Sequence, residues 1–207
     1  MKQKKVGIIN LEINNVHSIF EACLEAGYKT KLVEENEKKY NYDIVILPGI
    51  GSYKIAMKKI RKFNFKEKIL NFLENNNKLL VGICLGMQLF FTRSSEFGFN
   101  KGLNLIQGNV KKINNHFRIV PHTGWNEVKK KNNNNIVLNK NFNNKIFYFT
   151  HSFYCDPKDK KLICGTTNYS NFNFCSVIAK NNIFGMQFHP EKSGKDGLKL
   201  LKNFQRF

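Results

Sequence analysis

Cys84 is set apart from the other four cysteines by its neighbours. It stands in Gly82-Ile83-Cys84-Leu85-Gly86-Met87-Gln88, after the apolar run Lys78-Leu79-Leu80-Val81 and before Leu89-Phe90-Phe91. A Gly-x-Cys-x-Gly stretch between a strand and a helix has the nucleophile-elbow pattern, with sulfur in place of the hydroxyl. Small residues on both sides let the chain turn sharply and lift one side chain into open space. A free cysteine is mostly thiol at neutral pH, so attack requires a lowered pKa or a base beside it. The elbow contributes by putting the sulfur at a helix start, where backbone N–H groups favour an anion. A histidine can supply the base. Of His17, His116, His122, His151 and His189, the first falls on a helix surface and the second in a polar loop. His189 ends the apolar run Ile183–Phe188, is followed by the stiffening Pro190, and has Glu191 two residues on. A carboxylate there can accept a hydrogen bond from the second ring nitrogen, fixing the tautomer and stabilising the imidazolium. The backbone N–H of Leu85 is one candidate oxyanion donor. A second comes from Ile50 or Gly51 in Pro48-Gly49-Ile50-Gly51. Together these groups can transfer an acyl group from an amide or ester to sulfur and then hydrolyse the thioester.

The elements that must position these residues alternate. Val6–Asn10 reads as a buried strand. Asn14-Asn15 caps a helix carrying Val16, Ile19, Phe20, Cys23 and Leu24 at helical spacing, and Gly27 ends it. Lys29–Val33 and Tyr42–Leu47 read as strands, Tyr53–Arg61 and Phe65–Asn75 as helices, and Leu79–Val81 as the strand before the elbow. Such alternation implies crossover connections and a parallel sheet, with ligands beyond the carboxyl ends of its strands. Pro48–Ser52 and Gly82–Gly86 both lie at such ends, and they face each other if the third and fourth strands are neighbours. From Gly108 to Lys180 the pattern changes to short β-like runs: Asn109–Ile113, Phe117–Val120, Asn135–Leu138, Lys145–Thr150, Leu162–Thr166 and Phe174–Ala179. Ser193 caps a closing helix, Lys195–Phe204. The expected fold class is α/β: a mostly parallel central sheet flanked by helices, with antiparallel strands added in the second half. Residues 1–207 read as one domain.

Composition narrows the alternatives. The chain carries 34 Lys and Arg against 15 Asp and Glu, a formal charge of +19. These lysines are dispersed among Asn, Ile and Phe, and the densest run, Lys129-Lys130-Lys131-Asn132, reads as a solvated loop, so nucleic acid is not implied. Five irregularly spaced cysteines without a Cys-x-x-Cys pair argue against a disulfide framework and a zinc site. No metal or cofactor is expected. No apolar run is long enough to cross a membrane or form a signal-peptide core, which makes the cytoplasm the expected location.

Pro48-Gly49-Ile50-Gly51, Gly82–Gln88 and Phe188-His189-Pro190-Glu191-Lys192-Ser193 resemble the three signatures of class I (triad) glutamine amidotransferases. The resemblance spans nearly the whole chain. It implies that Cys84 attacks the side-chain amide of glutamine, that His189 is base and acid, that Glu191 orients it, and that ammonia passes to a synthase partner. Val120-Pro121-His122-Thr123-Gly124-Trp125-Asn126 and Tyr148-Phe149-Thr150-His151-Ser152-Phe153-Tyr154 are similar to glutaminase subunits of imidazole glycerol phosphate synthase. The partner there is a (β/α)8-barrel cyclase of histidine biosynthesis. By this resemblance Gln88, Ser152 and Phe153, with Gly51 beside them, hold L-glutamine, and Trp125 and Asn126 lie near the barrel. One stretch departs from the pattern: Asn10-Leu11-Glu12-Ile13-Asn14-Asn15 stands where the family carries a glycine-rich loop. That leaves open a paralogous glutaminase feeding an acetamidino-sugar partner in surface-glycan synthesis. From another class, an inactive basic module that binds nucleic acid also competes.

Overall fold

The computed structural model describes residues 3–13, 16–114, 119–131, 138 and 142–207. The first half runs β1 (Lys5–Ile9), α1 (His17–Glu25), β2 (Lys29–Val33), β3 (Ile44–Leu47), α2 (Tyr53–Lys62), α3 (Phe65–Leu73), β4 (Leu79–Ile83) and α4 (Leu85–Leu89). The second half runs β5 (Phe91–Ser94), β6 (Asn100–Lys101), β7 (Ile106–Lys112), β8 (His122–Lys130), β9 (Lys145–His151), β10 (Phe153–Pro157), β11 (Ile163–Tyr169), β12 (Phe172–Lys180) and β13 (Ile183–Met186). Helix α5 (Gly194–Asn203) follows.

Five strands in the order β2-β1-β3-β4-β13 are all parallel to their neighbours. Strands β3 and β4 are adjacent, with Leu47 opposite Gly82, so the two glycine-bearing loops leave the sheet side by side. Beyond β13 the order continues β12-β10-β7-β5-β6, antiparallel except for the β5–β7 pair. A branch leaves β12 through β11 and β8 to β9, antiparallel throughout. The expected class and its division between halves are therefore present.

Strands covered on both faces must be apolar at every position, and β3 and β4 are buried throughout. Ile44 and Ile46 pack with Ile19, Cys23, Leu200 and Leu201 under α1 and α5. Val45 and Leu47 pack with Ala56, Met57, Ile60 and Ile69 under α2 and α3. Each buried Val, Leu, Ile or Met side chain among them contributes about 1.5–3 kcal/mol relative to exposure. Edge strand β2 instead exposes Lys29 and Lys31, charges that disfavour pairing with a further strand. None of the helices among the described residues is long and apolar enough to cross a membrane.

Some local expectations need correction. Strand β13 ends at Met186 rather than Phe188. Gln187 N–H bonds to Ser176 O, and His189 forms an isolated bridge with Tyr148. Ser193 occupies the N-cap position of α5 without capping it. Its hydroxyl donates to His189 O (2.5 Å) and accepts from Tyr148 N–H (3.0 Å), tying the histidine's backbone to β9. Strands β5, β6, β8 and β10 fall outside the runs that read as strands in the sequence. The cap at Asn14-Asn15, His116, half of Phe117–Val120 and all of Asn135–Leu138 except Leu138 lie outside the described residues.

Candidate active site

Cys84 stands between β4 and α4 with φ 52° and ψ −108°, a conformation that L residues rarely adopt and that costs on the order of 1–3 kcal/mol. Two backbone bonds hold it: its N–H donates to Met186 O (2.7 Å), and its carbonyl accepts from Gln88 N–H (3.2 Å). The neighbouring glycines permit close contact between loops. A Cβ at Gly86 would lie 1.7 Å from Leu47 O, and one at Gly49 would lie 2.3 Å from Leu85 Cβ. The elbow and the Pro48–Gly51 loop are thus packed backbone against backbone. Gly51 has φ +125°, within the region that favours glycine.

The sulfur is 6% exposed as part of its residue, accepts from Gln187 Nε2 at 3.4 Å and lies 3.9 Å from Thr150 O. His189 is buried, and its Nδ1 donates to Glu191 Oε1 at 2.7 Å. Burial opposes charge on this ring, but the negative Cys84 and Glu191 outweigh burial and lift the imidazole to about 10. The ring therefore favours its protonated form. The three residues named from the sequence as nucleophile, base and orienting acid converge.

A cavity of about 370 Å³ opens over the sulfur. Ile50, Gly51, Leu85, Gln88, Ser152 and Phe153, all singled out from the sequence, line it together with Cys84 and His189. Leu85 opens α4, so its N–H is a helix-start donor without an intrahelical acceptor. Trp125 and Asn126 do not line the cavity. Trp125 is 57% exposed on β8 and meets Tyr148 edge-on at 5.9 Å, while Tyr148 O accepts from His189 N–H. Asn126 turns inward and donates to His122 (2.9 Å).

Sequence reasoning missed Gln187, Glu96 and the His122–His151 pair. Gln187 had one signal, an amide inside an otherwise apolar run. Glu96 lines the cavity, is 7% exposed and accepts from Tyr53 N–H; burial pushes its carboxyl upward. Larger clefts of about 730 and 770 Å³ lie elsewhere, but neither is lined by a cysteine or histidine. Among the described residues no cluster of His, Cys, Asp and Glu is arranged to hold a metal. All five cysteines are buried and none is in a disulfide. Burial pushes Cys23 up to about 12 and Cys155 and Cys175 upward as well, which keeps them as thiols.

Comparison with known proteins agrees with this geometry. The model of the family "Glutamine amidotransferase class-I" matches residues 8–206, so the chain belongs to the class-I glutamine amidotransferases. It is an enzyme of the glutaminase type. Its sequence is 38% identical over 199 residues to imidazole glycerol phosphate synthase subunit HisH of Chlorobium chlorochromatii, covering 96% of this chain and 98% of that one. The HisH subunit of Pyrococcus furiosus is 39% identical over 202 residues, with 98% of each chain covered. Among solved structures, PurLQS from Thermotoga maritima superimposes with a TM-score of 0.77 at 19% identity, covering 99% of both chains. A structure described as glutamine amidotransferase gives 0.74 at 15% identity over 97% of each. Those two show a shared fold.

Proposed function

We propose that residues 1–207 form one glutaminase domain that hydrolyses L-glutamine to glutamate and ammonia through a thioester on Cys84. The thiolate attacks the side-chain carboxamide carbon; a C–S bond forms and the carbonyl electrons move to oxygen. Backbone N–H groups of Leu85 and of Ile50 or Gly51 receive that oxyanion. Collapse of the adduct breaks the C–N bond, and His189 gives its Nε2 proton to the departing nitrogen. The neutral ring then takes a proton from water as the water attacks the thioester. Glutamate leaves, and the thiolate–imidazolium pair returns. Glu191 holds the ring with Nε2 toward the cavity and stabilises its positive state. Glu96 offers the substrate's α-ammonium a carboxylate, and Gln88, Ser152 and Phe153 complete the wall.

The single observation that carries this function is the meeting at one cavity of a strained Cys84 and His189, whose ring is bonded to Glu191. The HisH identities of 38% and 39% support a barrel cyclase of histidine biosynthesis as the recipient of the ammonia, with this chain as its heterodimer partner and the cytoplasm as the setting. They do not favour the surface-glycan paralogue. The exposed Trp125 beside Tyr148 supports a contact face next to the triad. The test is ammonia release by the complex reconstituted with the barrel protein. Cys84→Ala is expected to abolish it, and unchanged hydrolysis in that variant would refute the assignment.

A further inference from the structure

We propose that Asn126, His122 and His151 form a one-directional hydrogen-bond relay that positions the glutamine-binding wall at Phe153 and Gln88. The role rests on the glutaminase reading above. Its direction follows from donor counting. A carbonyl can only accept, so His151 Nδ1, 2.7 Å from Phe153 O, carries the hydrogen. A neutral imidazole has one N–H, so His151 Nε2 is an acceptor, and His122 Nδ1 at 3.0 Å must donate to it. His122 Nε2 then accepts from Asn126 Nδ2 at 2.9 Å. Both rings are buried, and that burial holds His122 down at about 4 and His151 at about 3, consistent with neutral rings.

The same counting continues into the cavity. Phe153 O takes a second hydrogen bond from Gln88 Nε2 (3.1 Å), and Gln88 Nε2 also donates to Gln187 Oε1 (3.1 Å). Both amide hydrogens of Gln88 are then committed, which leaves its Oε1 to accept from a substrate N–H. Gln187, with its oxygen engaged, donates from Nε2 to the Cys84 sulfur. Reversing any link would set two acceptors or two donors against each other. Three of these residues, Gln88, His151 and Phe153, line the cavity, while His122 and Asn126 do not. Asn126 and His122 are therefore positioning residues that act through His151. They start the relay beside the exposed Trp125.

His122 lies stacked against Phe149 (ring centroids 5.0 Å) and Tyr169 (4.0 Å), so His122→Phe keeps the ring contacts while removing the donor to His151. His122→Gln restores one donor and one acceptor. Asn126→Ala removes the first donor. Glutaminase kinetics are measured in the complex with saturating barrel protein and its ligand, beside thermal unfolding of each variant. The expected result for His122→Phe is a roughly tenfold rise in KM for glutamine with kcat within about threefold, the size expected when one buried partner is left unpaired. His122→Gln should return KM to within about threefold of wild type, and Asn126→Ala should raise it about threefold. Unchanged KM in His122→Phe, or equal impairment in His122→Phe and His122→Gln, would overturn the relay. If His122→Phe fails to fold, Asn126→Ala decides, and an unchanged KM there overturns it. A wild-type complex without glutaminase activity would instead remove the catalytic assignment, and the relay's role with it.

Discussion

Gly86→Ala tests whether the elbow and the Pro48–Gly51 loop are packed backbone to backbone. A Cβ at position 86 falls 1.7 Å from Leu47 O and 2.7 Å from Leu47 C, where real Cβ contacts do not come below 3.0 Å. Neither obstacle is a flexible side-chain end; both are backbone atoms of β3. The elbow and the end of β3 must therefore part by about 1.3 Å, the difference between 3.0 and 1.7 Å. Overpacking of this kind costs about 1–3 kcal/mol of stability, or roughly 3 °C of Tm per kcal/mol for a chain of this size. The catalytic effect should be larger. In the proposed mechanism the two loops supply the nucleophile and the oxyanion donors, and misplacement of about 1 Å costs on the order of a hundredfold in rate. Ammonia release against glutamine concentration in the reconstituted complex, with thermal unfolding of the same sample, reads both effects. Gly49→Ala presses on the same contact from the other side, its Cβ 2.3 Å from Leu85 Cβ, and should behave alike. Because both relax one contact, the double variant should lose less than the sum of the two. A Gly86→Ala enzyme within threefold of wild-type kcat/KM and with unchanged Tm would refute the close packing.

Other consequences concern the charged and titratable groups. Glu191→Gln removes a group that lifts His189, so kcat/KM should fall about a hundredfold or more and the alkaline limb of the pH–rate profile should move to lower pH; an unmoved limb would contradict the pairing. His122 and His151 are held below the ordinary 6.5, so their contribution to stability is complete above pH 6.5 and is lost as pH falls toward about 4 and 3. For His122 that contribution is on the order of 3 kcal/mol. Urea midpoints should fall between pH 7 and 4.5, less steeply in His122→Gln, and equal slopes would contradict the buried neutral pair. Glu96→Gln should raise KM for glutamine about tenfold with little change in kcat, whereas an unaltered KM would remove Glu96 from substrate binding. The chain without its partner should turn over less than about 1% as fast as the complex, because the turn at Gly51 is left unset; full turnover alone would contradict that coupling.

The parallel half of the fold was legible because burial on both faces leaves β1, β3, β4 and β13 as continuous apolar runs between Gly, Asn and Pro signals. The added half was harder to read. Strand β8 carries His-Thr-Gly-Trp-Asn-Glu-Val-Lys-Lys, with only His122 and Val128 buried, and its strand character comes from pairing with β9 and β11. Strand β10 begins two residues after β9 ends, with Ser152 between and no Gly or Pro to announce the change. In the site, Cys84, His189, Glu191 and the glycine turn each follow a recognisable apolar run. Glu96 and His151 reach the cavity only because the segment after β5 comes together with β9 and β10, a juxtaposition that no local pattern encodes. Ser193 shows a related difficulty: its position suits a helix cap, but Tyr148 N–H and His189 O take its hydroxyl instead.

The central claim, that Cys84 is the attacking atom in a glutamine site, is tested most directly by covalent trapping. The reconstituted complex is incubated with a glutamine analogue whose side-chain amide is replaced by a diazoketone, and the adduct is located by peptide mass spectrometry. Modification of Cys84 alone, in step with loss of ammonia release and blocked by excess glutamine, is the expected result. Cys23, Cys155, Cys164 and Cys175 are buried away from the cavity that Cys84 lines and should remain unmodified. Loss of activity with the adduct on another cysteine, or full activity with Cys84 modified, would contradict it.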